Sequence, residues 1–141
     1  MTGIIVTGHG SFASGITSGL KLLAGQPQNY EAVDFLPEDS VESLAEKLSG
    51  AVERLSDCDG IIIYADLTGG SPFNVSIRMK METNRSLEVI GGANLPVVLD
   101  GYMTREMAGN VKTLAESGVE AGRAAMVWFQ ETAEDEDEYE E

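Results

Sequence analysis

Four short apolar runs punctuate the chain, each followed by a turn and then by a segment with helical spacing. Gly3-Ile4-Ile5-Val6-Thr7 is apolar and β-branched, as a strand buried on both faces should be, and Gly8-His9-Gly10 ends it. Ser11 is placed to cap a helix with Phe12, Ile16, Leu20 and Leu23 at helical spacing, stopped by Gly25 and Pro27. Tyr30 to Phe35 forms a weaker second strand, broken at Pro37. Asp39 or Ser40 opens a second helix with Val41, Leu44, Leu48, Val52 and Leu55 on one face. Ile61 to Asp66 is the third strand.

Gly69 and Gly70 then form an elbow, with Ser71 as helix cap and Pro72 at the first helical position of a segment reaching about Met81. Leu87 to Gly91 is a fourth strand. Gly92-Ala93-Asn94-Leu95-Pro96 repeats the elbow-then-helix pattern, giving a helix over roughly Pro96 to Met103. Thr104 caps a further helix ending near Gly118, and Ala124 to Phe129 reads as a last strand. Strands alternating with helices predict a doubly wound, mainly parallel α/β sheet with helices on both faces.

Composition narrows this picture. The 141 residues suit one domain, and with 43% hydrophobic and 23% charged residues the chain is of ordinary globular type. No apolar run approaches the ~18 residues of a membrane span, and no signal peptide is visible. Cys58 is the one cysteine, which suits a cytoplasmic protein without an internal disulfide. A net charge of −15 argues against nucleic acid or anionic membrane as partners. Eight acids and no base lie in the last eleven residues, leaving −7 for the rest. The expected organisation is a domain over 1–130 and a disordered acidic tail over 131–141.

In such a sheet, sites lie beyond the carboxyl ends of the strands, where strand order reverses. With order 2-1-3-4, His9 and Asp66 end neighbouring strands, and the two side chains can meet. A carboxylate on Nδ1–H would leave Nε2 of the single histidine as a nucleophile. Free N–H groups around Gly69, Gly70 and Ser71, at a helix start, would form an anion cradle beside it. Gly8 and Gly10 either clear room for an approaching macromolecule or serve only the turn.

Other chemistries find little support. One histidine and one remote cysteine make no zinc site. No Gly-x-Ser-x-Gly elbow accompanies Ser11 or Ser71, and no phosphate-loop or dinucleotide motif is present. No cofactor is expected. A phosphoryl group on the imidazole is the natural cargo, with other proteins as donor and acceptor.

Val6-Thr7-Gly8-His9-Gly10-Ser11-Phe12-Ala13 and Asp66-Leu67-Thr68-Gly69-Gly70-Ser71-Pro72-Phe73-Asn74 resemble the enzyme IIA component of the mannose family of the sugar phosphotransferase system. Gly91-Gly92-Ala93-Asn94-Leu95-Pro96 extends the likeness, which in layout covers about residues 1–130. The resemblance implies a cytoplasmic protein-histidine phosphotransferase. It would take phosphate from the histidine-containing phosphocarrier protein onto His9, with Asp66 orienting the ring and Gly70 and Ser71 in the phosphate-binding turn. It would pass the group to a IIB component on a separate chain, serving the membrane components IIC and IID indirectly. The resemblance further implies a homodimer that exchanges an antiparallel C-terminal strand, for which Ala124 to Phe129 is the candidate. Leu67 and Thr68 depart from some members. The alternatives are the phosphotransferase subunit of a dihydroxyacetone kinase system, a non-catalytic anion-binding regulatory module and, more remotely, a small serine hydrolase.

Overall fold

A computed structural model of the chain describes residues 1–132. Four strands, β1 (Gly3–His9), β2 (Tyr30–Phe35), β3 (Gly60–Ala65) and β4 (Ser86–Ile90), form one all-parallel sheet in the order β2-β1-β3-β4. Five helices connect and cover it: α1 (Phe12–Ala24), α2 (Val41–Arg54), α3 (Ser71–Glu82), α4 (Leu95–Thr104) and α5 (Val111–Ala124). The expected strand order holds.

Alternation along the strands divides the core in two. Ile4, Val6, Ile62 and Tyr64 pack with Leu20 of α1, Val97 and Val98 of α4, and Leu114 of α5. Ile5, Ile61 and Ile63 face the other way, onto Leu44, Leu48 and Ala51 of α2 and Val75 of α3. β1 and β3 are therefore apolar at nearly every position, because each of their faces has a helical cover. Tyr64 fills the space left at Gly101, where a β-carbon would overlap its hydroxyl. Its hydroxyl is buried with no hydrogen-bond partner among the described residues, and burial pushes the phenol pKa well above its usual value.

Several local expectations change. Gly70, not Ser71, is the N-cap of α3, with Pro72 in the first turn and no side-chain capping bond. The reason is a turn in which Gly70 N–H bonds the Leu67 carbonyl, so that Gly70 carbonyl already accepts from Asn74 N–H. Ser40 does cap α2, exchanging hydrogen bonds with Ser43 in a capping box. The buried stripe of α1 runs through Ala13, Thr17 and Leu20, with Phe12, Ile16 and Ala24 half-buried beside it and Leu23 exposed. Thr104 closes α4, its hydroxyl bonded to the Asp100 carbonyl, and Asn110 opens α5 by accepting from Thr113 N–H.

Gly118 does not stop α5. A β-carbon there would touch Val97 at 3.4 Å, and one on Gly122 would meet it at 3.1 Å, so both glycines mark close packing of α5 on α4. The strand expected over Ala124 to Phe129 is not formed in the single chain. Ala124 ends α5, and Met126 to Phe129 is exposed and outside the four-stranded sheet. A strand exists only by pairing, and none of the four strands pairs with this segment. Most of the acidic tail, residues 133–141, lies outside the described residues. No helix among the described residues is long and apolar enough to cross a membrane.

Two arginines seal the sheet edge opposite the carboxyl ends of the strands. Arg105, only 7% exposed, donates to the carbonyls of Thr2, Gln28 and Asn29 and stacks over Tyr102. Arg85 donates to Val52, Leu55 and Cys58 carbonyls at the end of α2.

Candidate functional site

The order β2-β1-β3-β4 places the strand-order reversal between β1 and β3. His9 is the last residue of β1, and Asp66 follows β3, extending that ladder by donating its N–H to the Thr7 carbonyl at 3.2 Å. The two side chains meet. Asp66 Oδ2 accepts the main-chain N–H of His9 at 2.9 Å and lies 2.9 Å from its Nδ1.

A carboxylate can only accept, so the proton of a neutral ring sits on Nδ1 and the lone pair on Nε2. His9 is 46% exposed and Asp66 16%, which leaves the imidazole reachable while the carboxylate is largely covered. Phe35, at the end of β2, meets the ring edge-on at 5.8 Å between centroids and fixes its tilt. Asp66 Oδ1 is buried with no partner among the described residues.

The neighbouring glycines do separate jobs. A β-carbon on Gly8 would come within 2.8 Å of Asp66 Cγ and 2.5 Å of the Phe12 ring. Gly8 therefore makes the room in which the carboxylate reaches His9. Gly10 takes φ +58°, serving the turn into α1. The elbow after β3 lies against the other edge of the imidazole, where a β-carbon on Gly70 would stand 2.8 Å from Cε1 and 3.4 Å from Nε2. A side chain at Gly70 would therefore crowd Nε2.

Gly69 (φ +88°), Gly70 and Ser71 are thus brought to the ring, but they are not equivalent donors. Gly70 N–H is spent on Leu67, whereas the amides of Gly69 and Ser71 make no hydrogen bond among the described residues. The first turn of α3 carries no acid. The start of α1 differs: Ser14 N–H donates to Asp34 Oδ1 at 3.0 Å, so a carboxylate from β2 already occupies it, and Ser11 makes no capping bond. Of the α1 and α3 starts, which follow the two central strands, that of α3 keeps amides able to receive an anion.

Sequence patterning does not single out Phe35 or Asp34. Their signal is position at the end of β2, where Phe35 pairs with His9 and Asp34 with Gly8. No group of three or more His, Cys, Asp or Glu able to hold a metal comes together among the described residues.

Fold and site together define an open parallel α/β protein in which an aspartate holds the single histidine of the chain beside the start of α3. Residues 3–118 match the family model described as "PTS system fructose IIA component", of the mannose type, and the chain belongs to that family. It is 33% identical over 120 residues to the mannose-specific EIIAB component of Escherichia coli, covering 85% of this chain but 37% of that protein. The fructose-specific EIIA component of Bacillus subtilis is 27% identical over 75% of this chain and 72% of its own length. Among solved structures, phosphotransferase system component EIIA from Streptococcus agalactiae superposes with a TM-score of 0.86 at 30% identity, covering 92% of this chain and 98% of that one.

Proposed function

We propose that this chain is a phosphoryl carrier of a sugar phosphotransferase system, with His9 as the residue that bears the phosphoryl group. The carrying observation is the 2.9 Å contact between His9 Nδ1 and Asp66 Oδ2, with the Gly70 backbone against the Nε2 edge. The Nε2 lone pair attacks phosphorus, the bond from phosphorus to the donor's histidine nitrogen breaks, and that nitrogen keeps the electron pair. The Nδ1 proton stays where it is. As the ring becomes cationic, Asp66 stabilises it, and the Gly69 and Ser71 amides receive the phosphoryl oxygens.

The donor in this reading is the histidine-containing phosphocarrier protein and the acceptor a IIB component, in the cytoplasm. Incubation with phosphoenolpyruvate, enzyme I and the phosphocarrier protein should yield one acid-labile phosphoryl group per chain. No adduct under conditions that phosphorylate the donor would refute the reading.

Asp66→Asn tests the role of the charge. Because one oxygen accepts both the main-chain N–H and Nδ1 of His9, Asn would turn its Oδ1 there, keeping the tautomer but removing the negative charge that stabilises the cationic ring. Phosphorylation followed by rapid quench should be slowed on the order of a hundredfold with the fold retained. A rate within threefold of the parent would take Asp66 out of the mechanism.

The dimer belongs to the same proposal. Met126, Val127 and Trp128 are each about four-fifths exposed, and a groove of about 380 Å³ beside the outer edge of β4 is lined by Ile90, Val97, Val119 and Met126. Exchange of this segment between two chains would give it a strand partner and close the edge of the sheet. Light scattering at micromolar concentration should report a dimer; a well-folded monomer would refute exchange.

A further inference from the structure

We propose that Gly91 is a positioning residue for phosphoryl transfer at His9, acting as the seat on which the phosphate-binding elbow rests; the inference builds on the carrier reading above. The elbow is intrinsically soft, because Gly69 and Gly70 are consecutive and Gly69 sits at φ +88°. Its inner ties are Gly70 N–H to the Leu67 carbonyl at 3.0 Å and Asn74 Nδ2 to the Gly69 carbonyl at 2.9 Å. Both lie within the elbow and its own helix, so neither fixes it relative to the sheet.

The outer support comes from the loop after β4. A β-carbon on Gly91 would overlap Thr68 Oγ1 and stand 2.7 Å from Cε1 and 2.8 Å from Cδ1 of the Phe73 ring. Thr68 and Phe73 flank the cradle, one residue before Gly69 and two after Ser71, and both press on the bare Cα of Gly91. This loop is itself anchored to the sheet, since Ala93 N–H donates to the Ala65 carbonyl at 2.9 Å, one residue before Asp66. The end of β3 thus holds Asp66 directly and sets the elbow height through Gly91. Thr68 accordingly serves the site by packing outward on Gly91.

A methyl group at Gly91 would lift Thr68 and Phe73 and carry the Gly69 and Ser71 amides away from a phosphoryl group on Nε2. Displacements well under 1 Å in such donors cost rate, so Gly91→Ala should slow phosphorylation of His9 by about tenfold while the adduct still forms. The discriminating readout is amide NMR of the full chain before and after phosphorylation. The parent should show large shifts at Gly69 and Ser71, and Gly91→Ala should show less than half of them. Gly91→Ala/Thr68→Ala, which removes the closest clash, should recover part of both the rate and the shifts. A parent-like rate with full shifts in Gly91→Ala overturns the inference alone, as does a double variant no better than the single. A parent chain that takes up no phosphoryl group overturns the carrier reading and this inference with it.

Discussion

Replacing His9 by alanine will reduce phosphoryl uptake from the phosphocarrier protein to background. No second histidine exists in the chain to take over the role. The carboxylate and the cradle would remain, but neither supplies a nucleophile: Asp66 is mostly covered, and the amides of Gly69 and Ser71 only donate. The fold should survive, because the imidazole is nearly half exposed and the main-chain N–H at position 9 can still donate to Asp66. Urea unfolding should shift by no more than about 1 kcal/mol, the range for a partly exposed side chain. Intact-mass analysis after labelling gives the decisive measurement, and an adduct that survives in His9→Ala would place the chemistry elsewhere.

The largest effect on stability is expected at Arg105. Its guanidinium satisfies carbonyls of Thr2, Gln28 and Asn29, joining the end of α4 to the starts of β1 and β2. Arg105→Ala would leave these carbonyls beside a new cavity and remove the packing on Tyr102. Hydrogen bonds to a charged group are worth about 1.5–3 kcal/mol each and do not add fully, so a loss of about 3 kcal/mol is expected. Arg105→Lys should recover only part, since an ammonium cannot reproduce the planar fork. A change below about 1 kcal/mol in urea unfolding would show that the clamp is dispensable. Phosphorylation of the folded fraction should stay at the parent rate, because Arg105 sits at the sheet edge remote from His9.

The two residues that define the site were legible because strand ends are legible. An apolar run that stops at a histidine, and another that stops at an aspartate, put both at the carboxyl edge once the sheet is parallel. The helix starts were harder. Ser11 and Ser71 look like caps, yet the first turn of α1 is served by Asp34 from another strand, and α3 begins at Gly70 through a turn to Leu67. Capping preference is a local quantity of about 1 kcal/mol, and a tertiary contact or tight turn of equal worth displaces it.

As punctuation, glycine ends a helix at Gly25 but not at Gly118, where the missing side chain permits close packing on Val97. The sequence carries no mark separating a glycine needed for its backbone angles from one needed for its lack of volume. Gly8 and Gly91 belong to the second kind, and only the neighbours that crowd them reveal it.

By itself, the sequence determined the alternating strands and helices, the two-sided burial of β1 and β3, and a lone histidine ending one strand with a carboxylate ending another. These follow from periodicity and residue type, which act over a few neighbouring positions. Only the tertiary structure decided which nitrogen of His9 is free, which amides of the elbow are unspent, and what holds the elbow in place. Those are matters of distances between segments more than fifty residues apart in the chain for His9 and Asp66, and more than twenty for Thr68 and Gly91. No local rule encodes them; they exist once the sheet has brought β1, β3 and β4 side by side.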